Sequence, residues 1–305
     1  ETSRLSMLEV GDIDYAEFGR SSLRELSAMK DVTIQEGPPG QSVPTLNFNF
    51  RTDTAGNQFI GSGKLDGKGV PEDFFADPDV RKGFAYAMDY EKLLSVVWRS
   101  KARRITSPVP RPGAPAAPPY SFDAKRSEAH FKNAFGGKLW KKGFEFTYPY
   151  ELNDPDSREF GEIMAEGLKK INPLFTLLLK PVDKSIKQKT LRQMPLFTVS
   201  FEPDYPAQHN YAFSMMHSKG AVPQLQGYSN PEADKLCDRI LFGETPEREK
   251  ALTELDRVYA NDVPYLLLFA ADTFKVFRKG ITGVNPDNWL YSTNNLLDYY
   301  TVKKP

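Results

Sequence analysis

Four times along this 305-residue chain a helix-capping residue is followed at once by proline: Asp77-Pro78, Asp154-Pro155, Asn230-Pro231 and Thr245-Pro246. Few sequence features constrain a fold so tightly. The Asp, Asn or Thr side chain accepts an N–H of the first helical turn, and proline sits where no N–H is needed, so each pair starts a helix at a fixed residue. Apolar residues then recur at helical spacing: Val80, Phe84, Ala87 and Met88; Phe160, Ile163, Met164, Leu168 and Ile171; Leu236, Cys237 and Ile240; Leu252, Leu255, Val258 and Tyr259. Further helices are expected over Ser21 to Met29, from Asp89 through Val97, over Ala124 to Ala134 and over Asp183 to Gln193.

Between the helices the pattern changes to strand. Leu46, Phe48 and Phe50 alternate with polar residues, and Asp31 to Glu36 alternates before Gly37-Pro38-Pro39-Gly40 stops it. Phe144 to Tyr150, Phe175 to Val182, Leu196 to Phe201, Tyr265 to Phe269, Thr273 to Phe277 and the tail 296–302 read as strands. Thr52 to Glu72 reads as an exposed loop, and the six prolines of 105–119 exclude helix and inner strand there. Strands separated by helices of this length predict an α/β fold in which helices flank a mixed sheet.

The charge balance narrows the function. Lys+Arg and Asp+Glu number 40 each, so no global field favours nucleic acid. No apolar run approaches the ~18 residues of a membrane span. The chain opens on Glu1 with no signal-peptide pattern, which suggests a processed or excised product. Its single cysteine, Cys237, lies on an apolar helical stripe and is expected to be a buried structural thiol.

Catalytic patterns are scarce: there is no G-x-S-x-G, no phosphate loop and no H-E-x-x-H. An enzyme is therefore not expected, nor a cofactor or a metal. The alternative is a metal-assisted hydrolase built from Asp204, His209 and His217, whose spacing follows no established ligand pattern. More informative is Phe201-Glu202-Pro203-Asp204-Tyr205-Pro206, where a carboxylate follows a buried strand among aromatics. Such a carboxylate suits a ligand bearing a positive amine. It equally suits a turn in which Asp bonds local amides, and the residues alone leave both readings open.

Taken together, several segments resemble the bacterial extracellular solute-binding proteins that serve as dipeptide-, oligopeptide- and nickel-binding components of ABC importers, family 5. Phe75 to Asp89, with its Asp-Pro-Asp-Val-Arg and second aspartate, is similar to that family's most recognisable motif. The strand Leu46 to Phe50, the proline-rich loop 105–119, the Phe201–Pro206 loop and Gly227-Tyr228-Ser229-Asn230-Pro231-Glu232-Ala233-Asp234 follow in the family's order. Phe201 stands where Trp is common, and Ala207-Gln208 where an acidic-proline pair is frequent.

The resemblance implies a periplasmic-binding-protein-like lobe plus part of a second: 1–48 the end of a first lobe, 49–278 the second lobe, and 279–305 the return to the first. It implies that most of the first lobe is absent from this chain. By the same resemblance Asp204 contacts the ligand, with Tyr205, Phe201, Tyr228 and Asn49, and more remotely Asn47, as candidate neighbours. The implied ligand is a peptide or other small molecule and the implied partners are ABC permease subunits. The protein is expected to be a monomer at the periplasmic or extracellular face, touching the membrane only through the permease or a lipid anchor.

Overall fold

The structure, a computed structural model, describes residues 2–97, 101–152, 154–205, 207–284 and 301–304. The tail expected as a strand over 296–302 lies largely outside the described residues, as does most of 279–305. Nine strands are described: β1 (Tyr15–Ala16), β2 (Val32–Pro39), β3 (Val43–Phe48), β4 (Ala102–Arg104), β5 (Phe144–Glu151), β6 (Phe175–Val182), β7 (Leu196–Phe201), β8 (Tyr265–Leu267) and β9 (Phe269–Arg278).

The fold is mixed α/β as expected, but the strands divide among three sheets. β9 lies between β1 and β2 and also pairs with β4, all antiparallel. β3 lies between β7 and β8, again antiparallel. β5 and β6 run parallel, joined over the helix Pro155–Ile171 in a βαβ unit.

Asp77, Asp89, Asp154 and Asn230 each accept a backbone N–H of the helix that follows, as the sequence predicts, and Asp123 caps the helix Ala124–Asn133 in the same way. The last helix begins at Thr245 instead, with Glu244 at the cap and no side-chain bond there. One expectation fails for an identifiable reason. The strand from Val32 runs on through Gly37 to Pro39, because the register shifts between Glu36 and Pro39, so that Gly37 and Pro38 are bypassed and Pro39 pairs with Asp272. The stretch 52–72 is a loop exposed over much of its length, as expected, but it is pinned to the body: Phe59, Ile60 and Val70 are buried, and the Thr147 N–H donates to the Phe59 carbonyl at 2.8 Å. Gly61 makes this tuck possible with φ +62°, and an added Cβ would lie 2.3 Å from the Lys68 oxygen.

The largest core is aromatic. Phe48, Phe74, Phe75, Phe84, Phe131, Phe144, Phe146 and Phe175 are buried together, and their edge-to-face and stacked pairs have centroids 4.6–6.5 Å apart. A second core gathers the helices Gln208–Met216, Pro231–Phe242 and Thr245–Asp262 against β3 and β8. Cys237 lies within it; its thiol donates to the Ala212 carbonyl and is pushed up to about 12 by burial, with Asp234 and Asp238 adding to the shift. A small third core, Leu5, Leu8, Leu26 and Val276, packs the helix Thr2–Val10 on the β1–β9–β2 sheet.

Among the described residues two chain segments join this small unit to the rest, and they run side by side. β2 leads to β3 through Gly40–Ser42, and β8 leads to β9 through Leu268. They stay bonded across the passage, Gly40 N–H to Ala271 O at 3.0 Å and Leu268 N–H to Pro44 O at 3.1 Å.

Gly167 sets how closely two core helices approach: a Cβ there would lie 2.1 Å from the Ala87 carbonyl oxygen. Gly167→Ala gains about 1 kcal/mol in helix propensity yet is expected to lower stability by about 1–3 kcal/mol through overpacking. A lowered urea midpoint checks this; an unchanged or raised one contradicts it.

Candidate functional site

A cleft of about 570 Å³ opens between the small unit and the larger body. Phe18, Asp272, Thr273 and Phe274 form one side, and the joining segments, from Gly40 to Thr45 and from Leu268 to Ala271, form the floor. The other side comes from Glu151, Asp154 and Asp156 just beyond β5 and from Ser200, Glu202 and Pro203 at the end of β7. In open α/β sheets the carboxyl ends of strands are where ligands collect.

The cleft is strongly acidic. Among the described residues Lys187 is the one cation lining it, and its Nζ donates to Glu151 Oε1 at 3.2 Å and Thr198 Oγ1 at 3.3 Å. The chain of hydroxyls continues inward from Thr198 to Ser157 at 3.1 Å and to the buried Tyr148 at 2.9 Å, tying the cleft wall to the aromatic core. Asp154 spends its carboxylate on the Ser157 N–H at 3.0 Å. Asp156, Glu202 and Asp272 complete the acidic lining.

Asp156 is the perturbed member. Burial raises its carboxyl to about 6, Asp154 and Glu159 push the same way, and Arg20 opposes them. Arg20 reaches in from the small unit, donating to the Asp272 carbonyl. Its own pKa is lowered by burial against the pull of Asp272, Asp156 and Glu36. The sequence marked Asp154 as a cap but gave no sign that Asp156, two residues on, would share a cleft with Asp272 of β9, more than a hundred residues further along the chain.

The residues singled out from sequence divide. Glu202 and Pro203 line the cleft, but its lining stops there. Asp204 is exposed just beyond, and Tyr205, half exposed, bonds His209 Nε2 through its hydroxyl at 2.9 Å. Phe201 turns to the opposite face of β7 and packs on Tyr211 at 5.8 Å. Pro206 lies outside the described residues.

Asn49, Asn47 and Tyr228 are interior. Asn49 Nδ2 donates to the Arg192 and Met194 carbonyls, and its oxygen accepts the Arg51 N–H. Asn47 Nδ2 donates to Thr45 Oγ1 at 2.8 Å. Tyr228 donates to Asp262 Oδ2 at 2.6 Å, and Asn230 does so at 2.7 Å. Arg81 joins the same knot: its Nε donates to the Asp262 carbonyl, one terminal nitrogen reaches the Phe75 and Ala76 carbonyls, and its guanidinium lies 4.4 Å over Phe50. Desolvation lowers the Arg81 pKa to about 10, so it remains a cation at neutral pH.

His209 and His217 are not brought together. His209 lies in the first turn of the helix Gln208–Met216 and His217 at its C-cap, about 12 Å apart along its axis at 1.5 Å per residue. His217 stacks on Phe213 with centroids 4.5 Å apart and accepts the Lys219 N–H at 3.0 Å. Among the described residues no group of three or more His, Cys, Asp or Glu is placed to hold a metal ion, and no helix is long and apolar enough to cross a membrane.

The sequence profile of the bacterial extracellular solute-binding proteins, family 5 (middle region), matches residues 1–222. Among solved structures, the chain is similar to the ABC transporter-associated periplasmic binding protein DppA of Helicobacter pylori in complex with the peptide STSA, with TM-score 0.75 and 15% identity. It is also similar to the dipeptide-binding protein of Pseudoalteromonas sp. SM9913 in complex with Met-Leu (TM-score 0.74, 16% identity). A third is NikZ of Campylobacter jejuni in complex with Ni(L-His) (TM-score 0.73, 18% identity). The matches cover 99–100% of this chain but only 55–60% of those chains. Among curated protein sequences no match was found.

Two outcomes follow. Asp156 binds a proton in the folded state at a higher pH than in the unfolded chain, so its ionisation costs stability as pH rises from about 4 through 6. Asp156→Asn should therefore raise stability at pH 7.5 by about 1–2 kcal/mol, screened because the carboxyl is partly open to water, and the gain should vanish below about pH 4. Denaturant titrations at the two pH values decide it; a gain that persists at low pH contradicts the assignment. Tyr228→Phe should cost about 1–3 kcal/mol, since a donor to the Asp262 carboxylate is lost in the interior.

Proposed function

This chain belongs to the bacterial extracellular solute-binding proteins of family 5, and from that premise we propose that it captures a short peptide in the acidic cleft and delivers it to the permease subunits of an ABC importer. It acts as a binder and not as a catalyst, on the periplasmic or extracellular side of the membrane. The observation that carries this reading is the cleft itself. It has an acidic lining, one lysine already matched by Glu151, and a floor made by the two segments that join the units.

A peptide's α-ammonium is the complement of such a lining. A charge-assisted hydrogen bond to a carboxylate contributes about 1.5–3 kcal/mol, more than a neutral one. We place the ammonium among Asp156, Glu202 and Asp272, with Asp204 at the rim where it meets the incoming cation first. The peptide backbone then runs along Ser200 and Thr198. H. pylori DppA and the Pseudoalteromonas protein carry peptides in their complexes, which supports a peptide as the class.

The units meet through Gly40–Ser42 and Leu268–Ala271, and we assign the lobe boundary to these passages. Asp272–Arg278 then belongs with the small unit, because it pairs with Val32–Pro39. Closing about these passages stabilises the bound form only through contacts made from both sides. The relatives extend well beyond the matched region, so their fuller clefts offer contacts that these 305 residues do not supply. Binding by the 305-residue chain is accordingly expected to be weak.

Chemical-shift titration of the chain with an unblocked tetrapeptide and its N-acetylated form tests the reading. Removing the ammonium should weaken binding at least about tenfold. Affinity for the unblocked peptide should rise with pH through about 6 as Asp156 ionises. Equal affinities for the two peptides, or tighter binding of the acetylated one, contradict the assignment.

A further inference from the structure

A second groove lies against the same joining segments, and its chemistry is the reverse of the cleft's. It encloses about 420 Å³ and is lined by Gly40, Ser42 and Ala270 of the joining segments, by β4, and by the proline-rich stretch from Ile105 to Ala114. Three arginines, Arg103, Arg104 and Arg111, line it, and among the described residues no carboxylate does. Ser42, Thr106 and Ser107 supply hydroxyls, while Ile105, Pro110, Pro112 and Ala270 supply apolar wall.

The arginines are held in place before any ligand arrives. The Arg111 side chain is only 2% exposed. It bonds Asp256 Oδ2 at 2.6 Å, Ser107 Oγ at 2.9 Å and the Val109 carbonyl at 3.1 Å. Arg104 lies with its guanidinium 3.7 Å over the Tyr90 ring and donates to the Tyr120 carbonyl at 2.6 Å. Yet the Nε–H of each is buried and has no hydrogen-bond partner among the described residues. Buried donors left unmade are costly, and a guanidinium fixed by packing is a ready donor to an oxyanion. Asp256 balances the charge of Arg111, so the groove's positive field comes from Arg104 and from Arg103, which is exposed.

We infer that the groove between the proline-rich stretch and the joining segments is a binding site for a small oxyanion, a carboxylate or phosphate held by Arg104 and Arg111. The seven hydroxyl-bearing and apolar neighbours just named complete the wall around the bound head group. The site is separate from the acidic cleft, which would repel the same ligand. Because Gly40, Ser42 and Ala270 form part of its wall, an anion seated here ties the proline-rich stretch to the passages between the units.

The test is an arginine Nε–H NMR titration of the chain with inorganic phosphate and, separately, with propionate, ionic strength being held constant with sodium chloride. Saturable shifts of the Arg104 and Arg111 Nε–H signals are expected with at least one anion. The tighter of the two identifies the head group as tetrahedral or planar. Arg104→Gln should weaken binding by about tenfold or more, and Arg103→Gln, at an exposed position that leaves the fold untouched, should weaken it by a smaller factor. Shifts that grow linearly without saturating for both anions overturn the inference. So does an affinity that neither substitution changes.

Discussion

Arg81 is the cation on which the interior of this protein is organised. It is buried, and it is held chiefly by carbonyl oxygens: Phe75 and Ala76 on the aromatic-core side, Asp262 on the side of the helical core. Asp262 in turn collects Tyr228 and Asn230 through its carboxylate. The next residue, Val263, is fully buried at φ +47°, a conformation a β-branched residue adopts only when its surroundings force it. A charge so placed is expensive unless every donor is met, so the two cores cannot slide past one another without stranding it. β3 lies between these cores, and through it the position of the joining segments is fixed.

That rigidity is what lets the surfaces around the joining segments specialise. The acidic cleft takes its carboxylates from the ends of β5 and β7 and from β9, and the arginine groove takes its cations from β4 and the proline-rich stretch. Gly40 and Ser42 line both. Opposite charge on two neighbouring hollows is informative because the chain as a whole is neutral, with 40 basic and 40 acidic side chains. The local fields come from placement and not from composition.

Much of the fold was legible in the sequence, and the physical reason is locality. Helix starts at Asp77, Asp154 and Asn230 are decided by two adjacent residues, so they could be read directly, and they form as read. Sheet membership is decided by residues far apart, and the division of nine strands into three sheets carries no local mark. The site shows the same split. The Phe201–Pro206 loop was recognisable, and its Glu202 and Pro203 do line the cleft. Tyr228 and Asn49 looked equally available, but each is committed to interior hydrogen bonds that only the tertiary structure reveals. Asp156, Lys187 and Asp272 come from three separate elements, and no spacing rule joins them.

The most direct measurement is a crystal structure of the protein with an unblocked short peptide. The ammonium nitrogen should lie within about 3 Å of a carboxylate oxygen of Asp156, Glu202 or Asp272, with the peptide running along β7 toward Thr198. A peptide seated elsewhere, with its ammonium on Asp204 outside the cleft or with its carboxylate among the acidic side chains, would contradict the cleft as the site of capture.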